Sequence, residues 1–191
     1  MNAHSRGDDG SSEPGINLSP LGQLIAKQAI SEVLYRYVRG VDRKDRDTFL
    51  SSYWSDAIDD HAGIFVGHPA ELCDFIFASV ADMTTMHFVS NMLIDLIGDD
   101  KAFCESYVSS HHIVASKTGP RELVGAGRYL DHLSRRGDEW RILRRRAIIE
   151  IVRDVPAQTE LPVFAGLQMA GGAFPDDPLY AMRREVRTLC R

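Results

Sequence analysis

A stretch with strand periodicity, TMHFVSNMLIDLIGDDKAFCESYVSSHHIVAS, occupies residues 85–116. Apolar and polar side chains alternate on both sides of Gly98-Asp99-Asp100, which has turn chemistry. A period of two indicates strands, and a short turn between them makes an antiparallel pair. Two more alternating segments, at about 122–134 and 140–153, follow turns at 117–120 and 137–138. The sequence therefore predicts a meander of four long antiparallel strands.

The residues before this meander have helical spacing. Ser19-Pro20 places a capping hydroxyl before a proline and predicts a first helix that ends at about Gly40. A second, short helix is predicted from Asp45 or Asp47 through Trp54, and a third opens at Pro69, with short strands at 57–58 and 63–67 between them. Helices followed by a meander predict an α+β domain over residues 19–153, in which a curved sheet wraps around helices and leaves a pocket.

Composition excludes several classes of protein. The 191 residues hold 22 Lys+Arg and 27 Asp+Glu, a net charge of −5 without a basic block, so nucleic acid is not an expected partner. The three cysteines are far apart and form no CxxC pair, so the sequence suggests neither a disulfide framework nor a zinc knuckle. With no signal peptide and no apolar run of membrane-spanning length, we expect a cytoplasmic protein that contacts no membrane.

The ends of the chain differ from the domain between them. Residues 1–18 are polar and rich in Gly and Ser, which predicts a disordered tail. Residues 154–191 form a C-terminal extension, helical from Asp177 onward, that covers the pocket mouth or packs on another subunit. An apolar outer face of the first long strand predicts a homo-oligomer, a trimer or a dimer. The residues assigned to this outer face are Phe88, Met92, Ile94 and Leu96.

Alternation also predicts which side chains meet inside the domain. One face of the first long strand carries His87, Val89, Asn91, Leu93 and Asp95. On the next strand His112 points inward and His111 outward, and on the third Gly127, Tyr129 and Asp131 share a face. Among the arginines of the last strand, at 141 and 144–146, one can reach an anionic substrate group, or all of them can be solvated or pair at an interface.

Asp42 ends the apolar stripe of the first helix on the side that faces the sheet, where a carboxylate needs a partner. His87 is the candidate, and a carboxylate that holds one ring nitrogen makes the other a better base. The alternatives are a hydrogen-bonded core histidine and a solvated helix-end aspartate. Tyr37 lies about 140° from Asp42 around an ideal helix, so both face one cavity only if the helix ends or distorts near Gly40.

Three motifs carry a family resemblance: YRYVRGVDRKDRDTFLSSYWSDAIDDHAGIFVG, TTMHFVSN and GRYLDHLSRRGDEWRILRR. They resemble the SnoaL-like branch of the nuclear transport factor 2-like (NTF2-like) superfamily over residues 20–153. The resemblance implies a cone-shaped, cystatin-like fold. In the dehydratase and dehydrochlorinase members an aspartate at the end of the first helix pairs with a strand histidine, and Asp42 and His87 match them. Tyr37 and His112 match a tyrosine and a second histidine of individual members, and an arginine falls at Arg135 or Arg136.

Together these features predict a cofactor-independent lyase that performs a dehydratase-type elimination on a hydrophobic cyclic small molecule. The predicted catalytic residues are His87, Asp42, Tyr37 and His112. The predicted substrate-binding residues are Tyr53, Trp54, Asn91, Tyr129 and Arg145. Two alternatives stay open on the same scaffold. One is an isomerase of the ketosteroid type, and the other is a non-catalytic ligand-binding or assembly protein, such as the small subunit of a ring-hydroxylating oxygenase.

Overall fold

The computed structural model describes residues 15–157 and 171–189, so the tail predicted for residues 1–18 lies mostly outside the described part. The helices are α1 (Pro20–Asp42), α2 (Arg46–Leu50), α3 (Pro69–Ser79) and α4 (Pro178–Leu189). The strands are β1 (Tyr53–His61), β2 (Val66–Gly67), β3 (Thr84–Ile97), β4 (Lys101–Val114), β5 (Arg121–Arg136) and β6 (Glu139–Pro156). The predicted order of helices first and a four-stranded meander afterwards is confirmed.

Local signals place the helix starts. The Ser19 hydroxyl accepts a hydrogen bond from the Gly22 amide at 3.1 Å, and the Asp45 carboxylate caps α2 by accepting from the Thr48 amide at 3.0 Å. The apolar stripe of α1 is buried from Ala26 to Val41. Its first turns carry three exposed apolar side chains, Leu21, Leu24 and Ile25, because this end of α1 is not covered in the described structure.

The prediction that the second helix reaches Trp54 is wrong. Helix α2 ends at Leu50, and Tyr53 already pairs with Ile142 on β6. The Ser52 carbonyl accepts a hydrogen bond from the Ile142 amide at 2.9 Å, which draws the chain into the sheet. Pairing with a distant strand thus overrides the local helical pattern.

Within the described residues, the strands form one six-stranded sheet in the order β2-β1-β6-β5-β4-β3. All neighbours are antiparallel except β1 and β6, which run parallel. Helix α1 packs against β3 near one edge and also against β6, so the sheet curves around it. Near the C-terminal end of α1, Gly40 lies against the backbone of Phe49 on α2. The core therefore lies between α1 and the concave face of the sheet.

A bulge in β3 corrects the predicted faces of this strand. Its pairing with β4 shifts between Ser90 and Leu93, and Asn91 has a positive φ of 46°. An irregularity of this kind reverses the alternation, so Ile94 is buried while Leu93 is exposed. The outer face exposes Met86 and Phe88, whereas Met92 and Leu96 pack on the core. The homo-oligomer stays a prediction; of the four residues assigned to the outer face, Phe88 is exposed there, whereas Met92, Ile94 and Leu96 face the core.

The described part of the C-terminal extension returns to the corner between α1 and α2. The Phe174 amide donates to the Arg43 carbonyl at 2.6 Å, and the Tyr180 hydroxyl donates to the Asp45 carboxylate at 2.7 Å. Asp177 caps α4 by accepting from the Leu179 amide, as the predicted helix start requires. No helix among residues 15–157 and 171–189 combines the length and apolar character needed to cross a membrane.

Candidate active site

A cavity of about 360 Å³ lies between the concave face of the sheet and helices α1 and α3. Most of its wall is apolar, with side chains such as Val41, Ile76 and Val108. Its polar lining includes Tyr37, His61, His87, Ser110, His112 and Tyr129. A mostly apolar cavity with a few convergent polar groups is the usual form of a small-molecule site.

The structure brings Asp42 and His87 into direct contact at this cavity. Asp42 Oδ1 lies 2.6 Å from His87 Nδ1 and accepts a second hydrogen bond from the Thr85 hydroxyl at 2.9 Å. Asp42 Oδ2 accepts from the His87 amide at 2.9 Å. Because an ionised carboxylate can only accept hydrogen bonds, this contact assigns the proton to Nδ1 and leaves the lone pair of a neutral ring on Nε2. His87 therefore has the tautomer that a general base requires.

Hydrogen bonds keep the Asp42 carboxylate ionised although it is largely buried. Burial by itself raises the pKa of Asp42, but the hydrogen bonds and charge of His87, together with the Thr85 hydroxyl, outweigh it and lower that pKa below its ordinary value. A charged carboxylate can stabilise an imidazolium that forms when His87 takes a proton.

His112 lies beside His87 on the neighbouring strand. The two rings are perpendicular, with centroids 5.3 Å apart. Burial, and next the nearby His87, lower the pKa of His112 below its ordinary value, which keeps its ring neutral at pH 7. The adjacent His111 points to the outer face, where its Nδ1 lies 2.7 Å from Glu122, as the alternation predicted. His112 thus offers the cavity a neutral imidazole.

Tyr37 and Tyr129 form another polar part of the lining. Their rings meet edge to face at 5.7 Å, and both side chains are almost fully buried. Burial raises the pKa of Tyr129 to about 12 and raises that of Tyr37 well above its ordinary value. Both phenols therefore stay protonated and can donate hydrogen bonds. Helix α1 continues through Asp42 without a break near Gly40, so Tyr37 and Asp42 do not both line the cavity. Tyr37 lines it directly, whereas Asp42 contacts His87, which lines it.

Arg145 does not line the cavity, in contrast to its predicted role in binding substrate. Its side chain has no exposed surface, and its guanidinium donates to both Asp131 oxygens at 2.7 and 2.8 Å. It lies 4.1 Å from the ring centroids of both Tyr37 and Tyr129. Burial lowers the pKa of Arg145, but the charge and hydrogen bonds of Asp131 together with Tyr53 and Tyr37 outweigh burial and hold that pKa well above its ordinary value. Arg145 therefore packs against the rings of Tyr37 and Tyr129 without itself lining the cavity.

Three more predicted substrate-binding residues lie outside the cavity lining. Tyr53 is buried and donates to Asp59 at 2.6 Å. Trp54 lies under the guanidinium groups of Arg136 and Arg141, since the early start of β1 turns it away from the cavity. Asn91 is exposed at the bulge of β3. Among the predicted substrate-binding residues, Tyr129 lines the cavity.

Sequence reasoning missed His61, which lines the cavity from β1. Its Nδ1 lies 3.3 Å from Oδ1 of Asp59. The signal was the DDH tripeptide at 59–61, because residues two apart on a strand share a face. The sequence predicted a strand that ends at residue 58, before this tripeptide, whereas β1 continues through His61. Within the parts of the chain that the structure describes, no cluster of three or more His, Cys, Asp or Glu side chains is arranged to hold a metal ion.

A model of the SnoaL-like domain matches residues 22–146. A terrestric acid biosynthesis cluster protein of Penicillium crustosum is 26% identical over 134 residues, which cover 68% of this chain and 86% of that protein. A hexachlorocyclohexane dehydrochlorinase superposes with a TM-score of 0.68 at 20% identity, covering 78% of this chain and all of the other. A Nostoc punctiforme protein of cystatin-like fold covers 78% at 19% identity, with 99% of its own chain matched and a TM-score of 0.55. The predicted NTF2-like, cystatin-like fold is confirmed.

Proposed function

Because this chain belongs to the SnoaL-like domain family, we propose that it is a lyase that eliminates water from a hydrophobic cyclic small molecule. The observation that carries the proposal is the 2.6 Å contact between Asp42 and His87 at the wall of an apolar cavity. A dehydrochlorinase among the structural neighbours and a biosynthetic cluster protein among the relatives support small-molecule chemistry of this kind.

The first step is removal of a proton by His87. Nε2 takes the proton from a carbon next to a substrate carbonyl, and the Asp42 carboxylate holds the ring and balances its new charge. Negative charge then develops on the carbonyl oxygen, where Tyr37 or His112 donates a hydrogen bond. Loss of a hydroxyl from the next carbon completes the double bond. The apolar wall excludes water and strengthens these interactions.

Hydrogen exchange of a ketone isolates the first step. We expect the protein to catalyse deuterium incorporation next to the carbonyl of α-tetralone, a bicyclic ketone, with mass spectrometry as the readout. His87→Gln should lower this rate by about 10²- to 10⁴-fold, the usual contribution of a general base. His111→Gln changes the same residue type on the outer face of β4 and serves as the matched control. Exchange that survives in His87→Gln, or is absent from the wild-type protein, would refute the proposal.

The same geometry favours an isomerase as the second candidate, because a base opposite hydrogen-bond donors also moves a double bond. The product distinguishes the two reactions. The β-hydroxy derivative of α-tetralone yields α-naphthol when it loses water, whereas a β,γ-unsaturated ketone changes its absorbance without any change in mass. An elimination rate above the isomerisation rate supports the lyase, and the reverse order supports the isomerase.

A further inference from the structure

A second histidine that contacts a carboxylate, His61, lines the same cavity as His87. His61 ends β1, whereas His87 is on β3, four strands away in the order β1-β6-β5-β4-β3. Four steps of about 4.8 Å place them about 19 Å apart along the sheet. Both nevertheless line one cavity, because the sheet curves around it. A substrate in this cavity can therefore contact one imidazole from β1 and another from β3.

Asp59 is built to hold His61. Its side chain has no exposed surface, and its Oδ2 accepts the Tyr53 hydroxyl at 2.6 Å. Oδ1 is left for His61 Nδ1, at 3.3 Å. A ring whose Nδ1 contacts a carboxylate presents its other nitrogen, Nε2, for contact with a ligand.

Asp59 shares its neighbouring cation with a second buried carboxylate. Arg145 stands in register between Asp59 on β1 and Asp131 on β5, and all three side chains are fully buried. The two hydrogen bonds from the Arg145 guanidinium at 2.7 and 2.8 Å both go to Asp131 and not to Asp59. One cation thus serves two buried carboxylates, and an unbalanced buried charge is costly. His61 Nδ1, 3.3 Å from Asp59 Oδ1, is a further side-chain nitrogen beside this carboxylate.

We propose that His61, held by Asp59, is the general acid that protonates the leaving hydroxyl on the side of the substrate opposite His87. The inference rests on the proposed elimination. After the proton has moved to His87 Nε2, the electron pair of the broken C–H bond, held by the enolate, forms the new C=C bond. The C–O bond breaks, its electrons stay on oxygen, and the proton of His61 Nε2 completes the water. The His61 side chain is 21% exposed, so solvent can return its proton.

This arrangement selects a stereochemical class of substrate. A base and an acid on opposite walls remove groups that lie on opposite faces of a ring, so the substrate is a cyclic β-hydroxyketone that loses hydrogen and hydroxyl in anti relation. β-Hydroxy-α-tetralone with deuterium trans to the hydroxyl should lose the label, and its cis-labelled isomer should keep it. Loss of the cis label instead would overturn the proposal.

The decisive variant is His61→Gln, measured in two reactions. Exchange into α-tetralone has no leaving group, whereas dehydration of β-hydroxy-α-tetralone needs one to be protonated. Dehydration should fall by about 10²- to 10⁴-fold, and by at least tenfold more than exchange falls. His68→Gln changes a nearby histidine outside the cavity lining and is the matched control. In His61→Ala, added imidazole should restore dehydration, which a structural role does not predict.

The outcomes separate the two proposals. Equal losses of exchange and dehydration in His61→Gln, or unchanged dehydration, overturn the role of His61 and leave that of His87 intact. Failure of imidazole to restore His61→Ala counts against the acid role in the same way. A wild-type protein without exchange or dehydration overturns both proposals, because the acid acts only in the elimination.

Discussion

Replacing Arg145 by methionine should destabilise the fold severely, although the sequence indicated a role in binding substrate. The guanidinium is fully buried, makes two bonds to Asp131 and lies against two tyrosine rings. Removing one partner of such a pair leaves the other charge uncompensated and costs about 3–5 kcal/mol. The whole free energy of unfolding of a domain is about 5–15 kcal/mol. At about 2–4 °C per kcal/mol, the melting temperature should fall by about 6–20 °C.

A double-mutant cycle measures the coupling directly. Arg145→Met and Asp131→Leu should each lose about 3–5 kcal/mol, because each breaks the buried ion pair and removes both of its hydrogen bonds. The double variant fills the same space with apolar atoms and should stay within about 2 kcal/mol of the wild type. Urea unfolding followed by circular dichroism gives the four free energies of unfolding. If a single variant does not fold in plain buffer, all four proteins are measured in sulfate, which stabilises the folded state.

Two results would refute this reasoning. A loss below about 1 kcal/mol in Arg145→Met is the value of an exposed ion pair and would mean that water reaches the guanidinium. A double variant that loses the sum of both single losses would mean that the two side chains act independently.

Three other predictions follow from single contacts. Gly40→Ala should lower the free energy of unfolding in urea by about 1–3 kcal/mol, because the new Cβ would lie 2.6 Å from the Phe49 backbone. In the control Gly22→Ala the new Cβ has ordinary contacts at 3.4 Å, so this loss should not occur. Burial lowers the pKa of His112 in the folded protein, so the free energy of unfolding should fall as the pH drops from about 6.5, the unfolded pKa, to the lower folded pKa. His112→Gln should reduce this dependence of stability on pH, and an unchanged dependence would contradict the prediction. Tyr180→Phe removes the bond to the α2 cap and should speed hydrogen exchange in α4 at an unchanged urea midpoint, whereas a shifted midpoint would mean that α4 stabilises the whole domain.

Local signals predicted much of the fold. Ser19-Pro20, Asp45 and Pro69 lie where their chemistry places helix starts, and alternation assigned His112 inward and His111 outward. These signals work because capping, turn formation and side-chain alternation depend on residues only a few positions apart.

Long-range pairing explains where prediction failed. The bulge at Asn91 arises in the pairing of β3 with β4, and the early start of β1 at Tyr53 arises in its pairing with β6. Neither irregularity leaves a local mark in the sequence. Each one turned a predicted substrate-binding side chain away from the cavity.

The sequence by itself determined the α+β class, the meander and, through resemblance, the expected partnership of Asp42 with His87. The tertiary structure alone decided that Arg145 is buried behind the tyrosines and that His61 faces the same cavity as His87. The physical reason is that curvature of the sheet brings together residues from strands far apart in sequence. Burial, charge balance and cavity lining are properties of that assembly, and no short segment encodes them.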